Sequence, residues 1–216
     1  MDFEGFKRMA QRDVNKSICY ELEDDNSRLV KDIYTNVFPF YDESNFSGDV
    51  IFTWKSASLT VNGVYKPREG RNRDPEVTNN HFIGNLFPNF MTDEKYSLNT
   101  NRNGYMGDFP HDHIDIYLMH IAKYAFSDKS DFVNSRIKEY YPLKRAILFK
   151  DNLNYLKSFK TFDNFLKMHY FEEIWDYIQN KKCFSDMEYE EFKKESLVLI
   201  EKRGKAMIRK MLETRI

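Results

Sequence analysis

Apolar positions recur at helical spacing at both ends of the chain and lose that spacing in between. Phe3, Phe6, Met9 and Ala10 mark one amphipathic face, and Leu29, Val30, Ile33 and Val37 mark a second. Residues 1–40 are therefore predicted as two helices, with Asn26 or Ser27 placed to cap the second and Pro39 to end it. The helical period returns near residue 113. Ile114, Tyr117, Leu118, Ile121 and Tyr124 form one stripe, Pro142 interrupts the next, and Thr161 stands where a cap would before Phe162, Phe165 and Leu166. Ser185 and Glu188 carry the spacing of a capping box. The apolar positions that follow, Phe192, Leu199, Met207 and Met211 with Met187 at their head, predict that the longest helix lies within 186–214.

Residues 41–112 break the helical pattern with Gly, Asn and Pro. DVIFTWKS, 49–56, predicts a strand. Asn62-Gly63 between LTV and VYK predicts a two-residue hairpin of type I′, because that turn needs positive φ at both central positions. KPREGRNRDPE, 66–76, predicts an exposed polar loop. The stretch from Asn79 to Pro110 is Asn-rich yet contains FIGNLF, so it is expected to be irregular and partly buried. Long ordered loops of that kind often carry function.

These segments predict one domain over 1–216 in three zones: N-terminal helices at 1–40, a β and irregular zone at 41–112, and a helical zone at 113–216. The class is α+β, mainly α, with the helical C-terminal half packed on the small β and irregular middle zone. Trp54, Phe82, Leu86, Leu118, Ile121, Phe165, Trp175 and Ile178 are the expected core.

Composition narrows the partners. Hydrophobic residues make up 41% and charged residues 31%, a globular balance rather than a disordered one. The 19 Phe and 14 Tyr predict a core built on rings, or a ring-rich surface for a partner or a base. A net charge of −1 gives no global footprint for nucleic acid, which leaves only a local basic patch. Two stretches qualify: 66–76, where acidic neighbours also lie, and EKRGKAMIRKMLETR at 201–215, where cations equally suit the end of a helix. A protein or a small molecule is the other kind of partner. No membrane partner is expected, since no apolar run approaches the roughly 18 residues of a span. A charged N-terminus and two cysteines without metal spacing, Cys19 and Cys183, predict a cytoplasmic protein.

Candidate chemistry centres on five histidines, because imidazole serves both proton transfer and metal binding. His111, Asp112, His113 and Asp115 form the densest set of candidate ligands, with His111, His113 and Asp115 proposed for a divalent metal. On an extended segment His-x-His puts both rings on one face, whereas on a helix they diverge by about 200°. Asp112 has a second reading, as the N-cap of the helix that follows. His81 is the leading catalytic candidate, with Asp49 to orient its ring and Asn99 beside it in the same zone. For these residues the structural reading is packing at Gly84 and backbone hydrogen bonds from Asn85, Asn99 and Asn103. No P-loop, dinucleotide fingerprint, HExxH, GxSxG or CxxC pair is present.

Two resemblances rest on the middle zone. Gly48, Asp49 and Trp54, then His81, Ile83, Gly84 and Asn85, then Leu98, Asn99 and Arg102, then Asp112 and Asp115 are similar to the pattern of a bacterial family of unknown function, over roughly residues 40–125. That similarity implies no activity. IGNLF followed by SLNTN also resembles the C-terminal half of HNH nuclease domains in modification-dependent restriction systems. In such enzymes a His activates water and a metal polarises the scissile phosphate. This chain departs from the pattern, for no His precedes His81 and HDHID follows the IGNL segment.

Two function classes follow. The first is a non-enzymatic cytosolic binding or interaction protein, in the setting of a mobile-element or defence locus that the nuclease resemblance implies. The second is a metal-dependent phosphoester hydrolase, a degenerate HNH-like nuclease using His81, Asp49 and the HDHID group. Convergence of Asp49, His81, Asn99, His111 and His113 in one open cleft would favour the second.

Overall fold

A computed structural model describes residues 1–52, 59–61, 64–66, 81–98, 114–187 and 189–213. Three helices open the chain: α1 (Phe3–Arg12), α2 (Val14–Ile18) and α3 (Arg28–Val37). The first expected helix is thus two. Asp13 causes the division: its N–H donates to the Met9 carbonyl, closing α1, while its carboxylate accepts from Lys16 N, opening α2. Of the two candidate caps for α3, Ser27 is the one used, and the helix stops one residue before Phe38.

Four short strands follow: β1 (Phe46–Val50), β2 (Leu59–Val61), β3 (Val64–Lys66) and β4 (Leu86–Phe90). β2 and β3 pair antiparallel, as expected of strands flanking Asn62-Gly63; the turn residues themselves lie outside the described residues. β1 pairs antiparallel with β4, Phe46 opposite Phe90 and Val50 opposite Leu86. The strand expected from residue 49 therefore begins earlier and ends at Val50; 53–56 lie outside the described residues. Beyond Val50 a side chain continues the pairing. Buried Asn85 accepts from Phe52 N at 2.8 Å and donates to the Phe52 carbonyl at 2.7 Å, so its amide stands in for one more residue of the ladder.

The helical half contains α4 (Ile114–Tyr124), α5 (Asp131–Arg136), α6 (Tyr141–Leu148), α7 (Lys150–Ser158), α8 (Phe162–His169), α9 (Glu172–Asn180) and α10 (Tyr189–Glu213). Thr161 caps α8 by accepting from Asn164 N. Pro142 occupies the first turn of α6, where its missing N–H costs no hydrogen bond. The capping box at Ser185 and Glu188 is not the start of the long helix. Ser185 lies inside a 3-10 turn, Phe184–Asp186, and α10 begins at Tyr189. The protein is mainly α with a small β region, and no helix among the described residues is long and apolar enough to cross a membrane.

α10, 25 residues long and unbroken at Gly204, is the spine of the molecule. Its first part carries Phe192, Leu199 and Ile200 into the core under the helical half. Its second part carries Met207, Ile208 and Met211 into a core shared with α1, α2 and α3. Between them the 3-10 turn Ile83–Asn85 lies directly on the helix. A Cβ on Gly84 would stand 1.9 Å from the Ile200 carbonyl oxygen, so only glycine permits that approach. Leu86, Leu118, Ile121, Phe165, Trp175 and Ile178 are buried as expected, and Trp54 lies outside the described residues. Phe82 is only half-buried, because it sits at the margin of the sheet in an isolated bridge with Glu21.

Arg203 ties these parts together from inside. It is 2% exposed, and its guanidinium donates through Nη1 to the carbonyls of Gly84 and Leu86 at 2.8 and 2.7 Å and through Nε to that of His169 at 3.1 Å. Its plane also lies over Phe38 and Phe171. Burial pushes its pKa down to about 9, still above neutrality, so the cation persists where three carbonyl dipoles and two rings face it.

Candidate functional site

Asp49, His81 and Asp115 are the sequence-selected residues that the structure describes; Asn99, His111 and His113 lie outside the described residues. Asp49 is buried on β1 opposite Phe87, and its carboxylate accepts from Val50 N at 2.8 Å. His81 is half-buried, and its carbonyl accepts from Leu22 N at the margin of the sheet. Asp115 is fully buried in the first turn of α4, where its charge helps burial push the Cys183 thiol up. Among the described residues, no three His, Cys, Asp or Glu side chains are grouped closely enough to hold a metal ion.

Two other histidines are used as buried props. His169 ends α8 with Nδ1 2.8 Å from the Phe165 carbonyl, and His120 sits in α4 with Nδ1 2.8 Å from the Ile116 carbonyl. A carbonyl only accepts, so Nδ1 carries the proton in both rings and Nε2 is left as an acceptor. In His169 that acceptor takes the Tyr155 hydroxyl at 2.9 Å; in His120 it takes the Tyr140 backbone N–H at 3.0 Å. Burial lowers the pKa of both, that of His169 to about 3, so each ring is neutral at pH 7.

Tyr155 is the link from this buried network to solvent. It lines an open cleft of about 490 Å³ between the β1–β4 pair and α7. Phe40, Phe46, Phe90 and Tyr155 form its floor. The Phe90 and Tyr155 rings stack with centroids 4.6 Å apart and planes within 10°, and Phe46 meets Phe40, Phe90 and Tyr155 at 5.5 to 5.6 Å. Asp42, Asn45, Asp151, Asn154 and Ser158 form the rim, and among the described residues no cationic side chain lines the cleft.

The rim's hydrogen-bond donors are largely spent within the protein. Asn45 Nδ2 donates to Asp42 at 2.6 Å and to Ser44 Oγ at 3.3 Å. Ser158 Oγ donates to the Tyr155 carbonyl at 2.6 Å, and the Tyr155 hydroxyl donates to His169. Among the described residues, only Asn154 of the rim keeps an uncommitted amide. What faces the cleft is lone pairs and two carboxylates over a π surface. The backbone N–H and hydroxyl of Ser44 and the Asn45 amide hold Asp42 below the usual carboxylate range, so it stays charged.

The halves of this site are a hundred residues apart in the sequence, so no local pattern marks the whole of it. One signal was available: Asp151, Asn154, Tyr155 and Ser158 recur at helical spacing and make a polar stripe around a single ring on α7. Compared with known proteins, the chain matches no family model, no curated protein and no solved structure.

Proposed function

We propose that this protein is a cytoplasmic, non-enzymatic binding protein that holds a cationic amine in the cleft between the β1–β4 pair and α7. One observation carries the proposal: the aromatic floor is ringed by acceptors and two carboxylates, and of the rim's donors only the Asn154 amide is left uncommitted among the described residues. A ligand here must bring hydrogen-bond donors and is favoured by positive charge. An ammonium group meets both conditions, since it supplies three N–H donors, pairs with Asp42 or Asp151, and lies over the electron-rich faces of Phe90 and Tyr155. A neutral donor such as an alcohol would gain the apolar contact and one hydrogen bond, without the charge pairing or the cation–π contact. The volume suits one small molecule or one extended side chain. The cytoplasmic setting is supported by Cys19 and Cys183, which are both free thiols. The mobile-element or defence setting rests on the resemblance of the middle zone alone.

The test compares n-butylammonium with its neutral counterpart n-butanol by NMR titration of the aromatic protons. The ammonium is expected to shift the Tyr155 and Phe90 rings saturably, butanol at equal concentration to leave them nearly unmoved, and Asp151→Asn to weaken the ammonium several-fold. Equal responses to both compounds, or an unchanged affinity in Asp151→Asn, would overturn the proposal.

A further inference from the structure

A second solvent-facing group of rings lies at the other end of the α6–α7 pair and carries the opposite charge. Tyr96, at the end of the 3-10 turn Glu94–Tyr96, stacks on Phe149 with centroids 4.3 Å apart and planes within 4°. The Arg145 guanidinium lies 5.3 Å from the centre of the same Tyr96 ring. Tyr141, Lys144 and Leu148 complete a recess of about 320 Å³ on this face. Tyr141 is 70% exposed and Leu148 46%, the exposed large hydrophobic side chains of α6. The Asn152 amide donates to the Tyr96 carbonyl at 2.7 Å and fixes the 3-10 turn against the helices.

The charge here is available. The nearby carboxylate Glu139 is bound by Lys123 at 2.9 Å and by the Tyr124 hydroxyl, while Lys144 rests over the Tyr124 ring at 4.6 Å. Among the described residues, no ion pair engages Lys144 or Arg145. Asp151, the next carboxylate along the chain, turns to the acid-rimmed cleft instead.

We propose that the face formed by Tyr96, Tyr141, Lys144, Arg145, Leu148 and Phe149 binds single-stranded nucleic acid. The two cations, which rest on rings and make no ion pair among the described residues, meet phosphates, and the open Tyr141 ring offers a base a surface to stack on, beside a recess walled by the Tyr96–Phe149 pair. Such binding is tolerant of sequence, because every base has a π face, and it depends on salt, because each phosphate contact releases counterions. An acidic peptide would use the cations and leave Tyr141 idle, so the ring separates the two partners. This proposal is independent of the amine cleft and survives its failure.

The test is fluorescence anisotropy of a fluorescein-labelled fifteen-residue oligothymidylate, titrated with the full chain over a range of salt. The wild-type protein is expected to bind, more weakly as salt rises. Tyr141→Ala should weaken binding on the order of tenfold. The double variant Lys144→Glu, Arg145→Glu should abolish most of it and reduce the log–log salt slope by about 1.4. Tyr141 is open to solvent and its variant keeps the fold, which an unchanged Tm will verify. Binding by either variant that equals the wild type overturns the proposal. So does competition by polyglutamate as effective as that by unlabelled oligothymidylate, which would mark the face as a site for acidic protein.

Discussion

The acid-rimmed cleft and the basic face share one plan and differ in what stands behind them. Each presents rings bordered by charge of one sign, and each rests on a buried neutral histidine whose Nδ1–H is tied to the carbonyl four residues back. Behind the cleft, His169 holds the hydroxyl of Tyr155, a ring that itself forms the floor, and the His169 carbonyl is held in turn by Arg203. Behind the basic face, His120 holds the backbone N–H of Tyr140, next to Tyr141, while Arg145 is exposed and Lys144 half-buried over the Tyr124 ring. The cleft is therefore continuous with the core, whereas the basic face is laid on it. Shape should be costly to alter in the first and cheap in the second, while the charges at either rim should be separable from the fold.

The largest effect that would break this comparison is expected at Arg203. Arg203→Met keeps apolar bulk but leaves the Gly84, Leu86 and His169 carbonyls without that donor in the interior. Each such loss costs about 1–3 kcal/mol, so urea unfolding should show a deficit of at least about 3 kcal/mol. A deficit below about 1 kcal/mol would show that the cleft does not hang on the spine.

Acid comes next. The folded pKa of His169 is depressed to about 3 against an ordinary 6.5, so below pH 6.5 the unfolded chain binds a proton that the folded chain refuses. The stability contributed by the neutral ring is complete above pH 6.5 and declines by about 1.4 kcal/mol per pH unit as pH falls toward 3, or about 3 kcal/mol by pH 4. His120 acts in the same direction. Comparing wild type with His169→Gln between pH 4 and 7 removes the carboxylate contribution common to both. The variant should show the shallower slope, and parallel slopes would refute a buried neutral His169.

The smallest effect sharpens the comparison from the other side. Asp151→Asn and Tyr141→Ala alter exposed rim groups, so each should change unfolding free energy by less than about 0.5 kcal/mol while altering only its own ligand. A Tyr141→Ala deficit of 2 kcal/mol would place that ring in the core.

What was legible in the sequence was local. Ser27 and Thr161 act as caps because a side-chain oxygen two or three residues from a free N–H needs no tertiary partner. The pairing of β2 with β3 and the stripe of α4 follow from backbone and period alone. What escaped depends on contacts across the chain. Ser185 and Glu188 have the spacing of a capping box, yet the backbone there forms a separate 3-10 turn and the helix starts at Tyr189. Asn85 was rightly expected to satisfy backbone, but its partner Phe52 lies 33 residues away. Arg203 stands in a basic run that reads as a wet surface, and only the carbonyls laid across it explain its burial. Four rings and five rim groups of the cleft come from positions between 40 and 158, and no local pattern brings them together.

The Arg203 clamp also has a consequence for the order of synthesis. The carbonyls of Gly84 and Leu86 wait 119 and 117 residues for the guanidinium that will bind them. At roughly 5–20 residues per second on the ribosome, that interval is about 6 to 24 seconds. Throughout it the apolar FIGNLF stretch is already made, while the helix that will cover Gly84 is not. The nascent chain therefore carries an adhesive segment ahead of the helix that covers it, and crowded ribosomes or slowed translation between residues 87 and 203 would lengthen that exposure. The late arrival of one buried arginine predicts that the yield of folded protein falls when translation is slowed between residues 87 and 203.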